Sequence, residues 1–180
     1  ELGLTISQLD LGGGYATRNT LRGAMMPGAT TAASIEDYAE AVTAPLRRAA
    51  KQLKTRPRLF LEPGRVLIDE AMHMLSTVRA VKRTSGGAKA AIIDVGVHVL
   101  PTAYWYRHEV KPAVDDGRAL ETYRLAGPLR MQIDVVRESV LLPSLRTGDL
   151  LVIEDVGAYN FSQSMQFIQL RPPVVLLRGD

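Results

Sequence analysis

At 180 residues, with 46% hydrophobic and 23% charged positions, the chain is long enough to bury a core and is neither disordered nor membrane-spanning by composition. No apolar run approaches the roughly 20 residues of a spanning helix, and the first residues lack the basic, apolar, small-residue order of a signal peptide. These features predict a soluble, cytoplasmic protein with no membrane partner. The absence of cysteine excludes disulfides, thiolate metal sites and cysteine nucleophiles within the chain. The net charge of +3 is modest. Much of it sits in Arg47, Arg48, Lys51, Lys54, Arg56 and Arg58, with no interleaved aromatics, which a solvated helix end explains without a nucleic-acid partner.

Leu4 to Leu11 alternates loosely and runs into Gly12-Gly13-Gly14, the pattern of a buried strand ending in a glycine turn. After a loop rich in Gly, Ala, Thr and Pro, Ser34 and Asp37 form a capping-box pattern. It opens a predicted helix with Ile35, Tyr38, Ala39, Val42, Leu46, Ala49, Ala50 and Leu53 on one face. Pro45 predicts a kink there, or a break into two helices. Arg58 to Glu62 is a short apolar strand stopped by Pro63-Gly64, so the order is strand, helix, strand, as in a parallel α/β layer.

From Leu75 the pattern changes. Leu75 to Arg83, Ala88 to Val95, Met131 to Leu142, Asp149 to Glu154 and Phe167 to Leu177 read as strands. Ser85-Gly86-Gly87, Asp115-Asp116-Gly117 and Thr147-Gly148-Asp149 supply turn chemistry between them. The sequence therefore divides near residues 69–74 into an α/β part, 1–70, and a β-rich part, 71–180. A lone strand, helix, strand unit has open edges, so another chain or a preceding segment is expected to complete it.

Gly12-Gly13-Gly14 allows backbone N–H groups to approach an anion closely, or is simply a tight turn. It lacks the spacing and following acid of a dinucleotide fingerprint, and no P-loop lysine follows it. Glu62-Pro63-Gly64-Arg65 places a carboxylate at a strand's C-terminal end, then a turn without bulk, then a guanidinium. In an α/β barrel, active-site groups collect at that end of the strands. The bland alternative is a surface turn with an ion pair.

Together these residues resemble the fold-type III pyridoxal-phosphate decarboxylases, the family of diaminopimelate, ornithine and biosynthetic arginine decarboxylases. The resemblance runs from Leu9-Asp10-Leu11-Gly12-Gly13-Gly14-Tyr15 through Leu61-Glu62-Pro63-Gly64-Arg65 and Ile93-Asp94-Val95-Gly96. It continues with Gly127-Pro128-Leu129-Arg130-Met131-Gln132-Ile133-Asp134, Thr147-Gly148-Asp149 and Gly157-Ala158-Tyr159. It implies the C-terminal part of a TIM-type (β/α)8 barrel followed by a β-rich, sandwich- or barrel-like domain. It also implies a homodimer with shared active sites, an amino-acid-like substrate and pyridoxal 5'-phosphate as cofactor. By carry-over, Gly12, Gly13, Gly14, Gly64 and Arg65 would hold the cofactor phosphate and Glu62 the pyridine nitrogen. Tyr159 would add its hydroxyl to the phosphate, unless it is a core tyrosine.

The sequence departs from that family at three points. The family's Schiff-base lysine lies in an aromatic-Ala-x-Lys-Ala motif that is absent here, and Lys51, Lys54, Lys82, Lys89 and Lys111 lie on the basic helix, in β-rich strands or in loops. The lysine is expected on an N-terminal barrel segment outside this chain, which alone would then be inactive. The family cysteine that assists reprotonation is Arg130, a catalytic position here or merely an interface ion-pair residue. The acidic residue that follows it, which recognises a substrate's distal ammonium, is Met131.

The second recognition acid is Arg107 if Tyr106 is the matching tyrosine, with Tyr104 as the alternative register. Tyr106, Arg107, Arg130 and Met131 are thus the candidate substrate-binding residues. The exchange of acids for Met and Arg favours an anionic or acylated distal group over a diamino acid. The expected function is decarboxylation of such an amino acid. A racemase, epimerase or oxidative variant, and a non-catalytic cofactor-binding or dimerising subunit, are the other readings. His73, His98 and His108 lack metal-ligand spacing and are read as structural, with no metal expected. Asp94 and Asp134 are read as polar struts at strand ends or at a dimer interface.

Overall fold

The computed structural model describes residues 5–52 and 56–178. Strand β1 (Gln8–Asp10) pairs in parallel with β3 (Arg58–Phe60), Leu9 opposite Leu59. Between them lie β2 (Thr20–Leu21), the single turn α1 (Gly28–Thr31) and helix α2 (Ile35–Ala49). The predicted first strand shortens to three residues, and Leu4 lies outside the described residues.

The α2 N-terminus follows the capping-box pattern. Ser34 Oγ accepts from Asp37 N at 3.1 Å, and Asp37 Oδ2 accepts from Ser34 N at 2.9 Å. The Ser34 hydroxyl, which also donates to Asp37 Oδ2 at 2.7 Å, and then the Ser34 N–H hold the Asp37 carboxyl below its usual range. Pro45 does not divide the helix, which runs unbroken to Ala49. Proline deprives the Ala41 carbonyl of its partner, but Ala41 and Pro45 are both exposed and water can take that place. Tyr38, Val42, Leu46 and Ala50 are half-buried, whereas Ile35, Ala39 and Ala49 are exposed; Leu53 and Lys54 lie outside the described residues.

After β3 come the short helix α3 (Arg65–Ile68) and a 3-10 turn, Asp69–Ala71. The chain then enters a six-stranded sheet built from β4 (Met74–Arg83), β5 (Lys89–Ile93), β7 (Val110–Pro112), β8 (Leu120–Ala126), β9 (Val135–Pro143) and β10 (Leu150–Ile153). Its order is β7-β10-β4-β5-β8-β9. All neighbours are antiparallel except β5 and β8. The outermost strands β7 and β9 touch, so the sheet is a nearly closed barrel. Its core holds Val78, Ile93, Leu100, Tyr123, Leu125, Val136, Leu151 and Ile153.

Four of the predicted β-rich strands appear as β4, β5, β9 and β10, although β9 starts at Val135 rather than Met131. Residues 131–134 instead form the turn that presents Asp134. The segment Phe167 to Leu177 forms no strand: it pairs with nothing among the described residues and carries Leu170 and Val174 to Leu177 exposed. Strand β6 (Tyr106–Arg107), paired with β2, and strands β7 and β8 have no counterpart in the sequence reading.

A buried carboxylate and a half-buried one fix the loops of the sheet. Asp134, 1% exposed, accepts from Val97 N at 2.9 Å and Leu129 N at 2.7 Å, and Gly96 and Gly127 crowd its carboxylate so closely that neither tolerates a Cβ. Asp94 accepts from Ser76 Oγ and Thr77 N and pairs with Arg79. His98 is buried with no hydrogen-bond partner at Nδ1 among the described residues, and burial lowers its pKa against the opposing pull of Asp134. His108, fully buried, meets Thr102 Oγ1 at 2.7 Å and the Glu154 carbonyl at 3.2 Å, and burial pushes its pKa down to about 4. Among the described residues no group of three or more His, Asp or Glu is placed to hold a metal ion, and no helix is long and apolar enough to cross a membrane.

Asp134→Ala leaves two buried N–H groups without acceptors, and the expected loss is about 3 kcal/mol of unfolding free energy in urea. A loss under about 1 kcal/mol would refute the strut. His108 is neutral in the folded chain while its unfolded counterpart takes up a proton near 6.5. Its depressed pKa therefore leaves stability intact above pH 6.5 and removes about 3 kcal/mol as the pH falls towards 4. His108→Gln, which cannot titrate, should show a shallower loss over that window in urea melts at pH 7.5 and 4.5.

Candidate functional site

The parallel pairing of β1 and β3 brings their C-terminal ends to the same edge, so the glycine triplet and Glu62 emerge side by side. Gly12 N donates to Asp10 Oδ1 at 2.8 Å, and Gly12 O accepts from Glu62 N at 2.8 Å. Gly12 and Gly14 have φ values of 64° and 86°, which side-chain-bearing residues rarely adopt. A Cβ on Gly13 would lie 2.3 Å from the Glu62 carbonyl oxygen, so that approach requires glycine. The Gly13 and Gly14 N–H groups make no hydrogen bond among the described residues.

Tyr159 reaches this edge from the sheet side, its hydroxyl 3.8 Å from the position a Gly64 Cβ would take. The Arg65 guanidinium lies over the Tyr106 ring, 5.3 Å from its centroid. Gly12, Gly13, Gly14, Glu62, Gly64, Arg65 and Tyr159 thus lie at or beside one junction. An anion seated there would meet unpaired backbone N–H groups, a phenol and a nearby guanidinium. A carboxylate, Glu62, stands at the adjoining strand end and is exposed.

The junction depends on Asp69, which sequence reasoning missed. Buried at 3% exposure, its carboxylate accepts from Asn19 Nδ2 at 2.9 Å and Ala158 N at 3.4 Å, and its carbonyl accepts from Gly157 N at 2.9 Å. A Cβ on Gly157 would lie 1.7 Å from the Ile68 carbonyl oxygen. The Gly-Ala-Tyr spacing was a usable signal for this seam; a lone aspartate before a 3-10 turn was not.

Of the remaining candidates, Tyr106 adjoins that cradle beneath Arg65, and the others lie apart from it. Tyr106 is buried, with His108 at its edge, while Tyr104 is 42% exposed. Arg107 donates to the Ala24 carbonyl at 2.6 Å and lines a cleft of about 370 Å³ with Arg18, Glu70, His73, Lys111 and Asp155. Burial, followed by the Glu70 and Asp69 charges, raises the Asp155 carboxyl. Arg130, at φ 60°, and Met131 are exposed in the loop between β8 and β9, and among the described residues no hydrogen bond or ion pair joins them to Tyr159 or Arg65. Lys89 pairs with Glu121 and Lys111 with Glu154, Lys82 is exposed on β4, and Lys51 lies in the turn after α2.

Gly13→Ala must push the β3 end away from the glycine turn, with an expected loss of about 1–3 kcal/mol of unfolding free energy. An unchanged value in urea titration would refute the close approach.

Residues 1–69 match the family model for the pyridoxal-dependent decarboxylase pyridoxal binding domain, and residues 36–157 match that for its C-terminal sheet domain. A diaminopimelate decarboxylase of Archaeoglobus fulgidus is 32% identical over 184 residues, covering 100% of this chain and 42% of the relative. One of Escherichia coli K12 is 31% identical, covering 83% of this chain and 39% of the relative. Among solved structures, diaminopimelate decarboxylase from M. jannaschii superposes with a TM-score of 0.77 at 28% identity, over 91% of this chain and 36% of that one. Lysine/ornithine decarboxylase from Vibrio vulnificus, complexed with cadaverine, gives 0.68 at 25%, over 92% and 42%. The chain therefore spans about two fifths of the length of the curated relatives it matches. It belongs to the pyridoxal-dependent decarboxylase family.

Proposed function

We propose that the chain is the C-terminal portion of a pyridoxal-phosphate-dependent amino-acid decarboxylase. Residues 1–70 end its TIM-type (β/α)8 barrel, and 71–180 form the β-rich domain. The observation that carries this is the close approach of Gly13 to Glu62 and, two residues on, of the Tyr159 hydroxyl to Gly64. The exposed apolar side chains of Leu11, Phe60 and Leu61 beside the two-stranded sheet fit a barrel completed by a segment outside this chain, which supplies the cofactor-bearing lysine. The complete protein is a cytoplasmic homodimer with shared active sites.

The cradle fits the cofactor's phosphate, because Gly13 can carry no side chain and the Gly13 and Gly14 N–H groups have no other acceptor among the described residues. Gly12, Gly13, Gly14 and Gly64 give the phosphate room, Arg65 supplies positive charge, and Tyr159 donates its hydroxyl. Glu62 holds the proton of the pyridine nitrogen. Pyridoxal phosphate, when bound, supplies an electron sink for the pair left behind as carbon dioxide departs.

The substrate is an amino acid whose far end is a carboxylate or an acyl linkage. Arg130 stands at the position of the family's cysteine, where its planar guanidinium binds an anionic or acyl group. Met131 removes the acid that would hold a distal ammonium. Arg107 adds a second cation. A guanidinium in place of a carboxylate is worth several kcal/mol in a partly desolvated site.

Carbon dioxide release by the intact gene product tests this reading. Glutamate-like or acyl-conjugated substrates should exceed lysine-like ones by about 100-fold or more in kcat/KM. A preference for meso-diaminopimelate or ornithine would overturn it.

A further inference from the structure

Tyr159 sits at φ 65° and ψ −28°, in the left-handed region that a tyrosine occupies only at a cost in free energy. Asn160 N donates to the Ala158 carbonyl at 2.8 Å, closing a three-residue turn around it. Such a conformation persists only where the surroundings over-determine it. The preceding strut is Asp69, already described. The following one is the side chain of Asn160, 2% exposed. Its Oδ1 accepts from Thr102 N at 3.1 Å and Thr102 Oγ1 at 2.7 Å, and its Nδ2 donates to the Val156 carbonyl at 3.0 Å.

These bonds reach the same junction by two routes. Val156 and Asn160 bracket the Gly-Ala-Tyr segment, so the Nδ2 bond ties its two ends together. Thr102 belongs to the 3-10 turn Pro101–Tyr104, which leads directly to Tyr106, the ring beneath the Arg65 guanidinium. One buried amide thus links the backbone of Tyr159 to the support of Arg65. No other side chain of this length has this combination of donor and acceptor: an aspartate would lose the bond to Val156 and bury a charge, and an alanine would lose all three bonds.

We infer that Asn160 is a positioning residue of the cofactor site: it holds Tyr159 in its left-handed turn so that the hydroxyl stays beside Gly64, where the phosphate is bound. The inference rests on the reading that the Tyr159 hydroxyl contacts the cofactor phosphate, and the test separates the two.

Pyridoxal phosphate affinity is measured by absorbance titration of the apo form of the intact gene product, alongside thermal melting. The variants are Tyr159→Phe, Asn160→Ala and the double variant. Tyr159→Phe should weaken affinity about tenfold, one lost hydrogen bond to a charged group. Asn160→Ala should also weaken it about tenfold with Tyr159 present and add nothing in the phenylalanine background, while its melting shift is the same in both. If Asn160→Ala weakens affinity equally in both backgrounds, or not at all, while Tyr159→Phe weakens it, the positioning role fails and the phosphate contact stands. If Tyr159→Phe leaves affinity unchanged, the phosphate contact fails and the positioning role with it. Should Asn160→Ala not fold, Thr102→Val removes one of the three bonds, and a loss of about threefold that vanishes in Tyr159→Phe is expected. An equal loss in both backgrounds refutes the role.

Discussion

The buried carboxylate of Asp69 is the constraint on which the geometry of the site depends. An ionised carboxyl shut away from water costs several kcal/mol unless its oxygens are supplied with donors. Here the donors come from opposite ends of the chain: Asn19 from the excursion after the first strand and Ala158 from the loop after the last. Removing either leaves the charge less compensated, so the carboxylate works as a specificity device for the docking of three segments. The packing beside it is equally demanding, because the Ile68 carbonyl occupies the space a side chain at Gly157 would need. Docking in this register delivers Tyr159 to Gly64.

The cradle itself is made largely from what is missing. Glycine at positions 13 and 64 removes bulk, and positive φ at 12 and 14 turns backbone away from the strand direction. Amide dipoles can then converge on an anion with no side-chain entropy to lose on binding. Charge enters only at the margins, through Arg65 braced on an aromatic ring and Glu62 at the strand end. That division suits a ligand carrying a phosphate at one point and a protonated ring nitrogen at another.

The parts of this architecture that were legible in the sequence are those with local chemistry. The α2 cap is set by two residues three positions apart, and the glycine triplet marks a place where side chains are forbidden. Strands β4, β5, β9 and β10 show as β-rich runs between turns. Strand β8 escaped because Glu121 and Arg124 interrupt its apolar run, although Tyr123 and Leu125, on either side of Arg124, are buried at the centre of the sheet. The opposite error occurred at Phe167 to Leu177, where an apolar run has no partner strand among the described residues. Pro45 predicts a kink or a break because local rules ignore solvent, which here can satisfy the carbonyl that proline leaves bare, and the helix is not divided. Asp69, Thr102 and Asn160 carry no local signal at all: a polar residue that will be buried looks like one that will not until its distant donors are known.

The single parallel pairing in the sheet, β5 against β8, has a consequence for how such a protein can diversify. Antiparallel neighbours can be joined by a two-residue turn, but parallel neighbours require the chain to travel back along the sheet before re-entering it. The stretch from Asp94 to Ala119 makes that journey, and on the way it carries Thr102, Tyr104, Tyr106 and Arg107. Substitutions at the exposed positions of this detour, Tyr104 and Arg107 among them, leave the alignment of β5 with β8 untouched, whereas Thr102, Tyr106 and His108 are buried and held in place. The topology thereby separates the inherited barrel from a stretch of surface on which recognition can drift, and a scaffold of fixed register can be refitted to new substrates without being refolded.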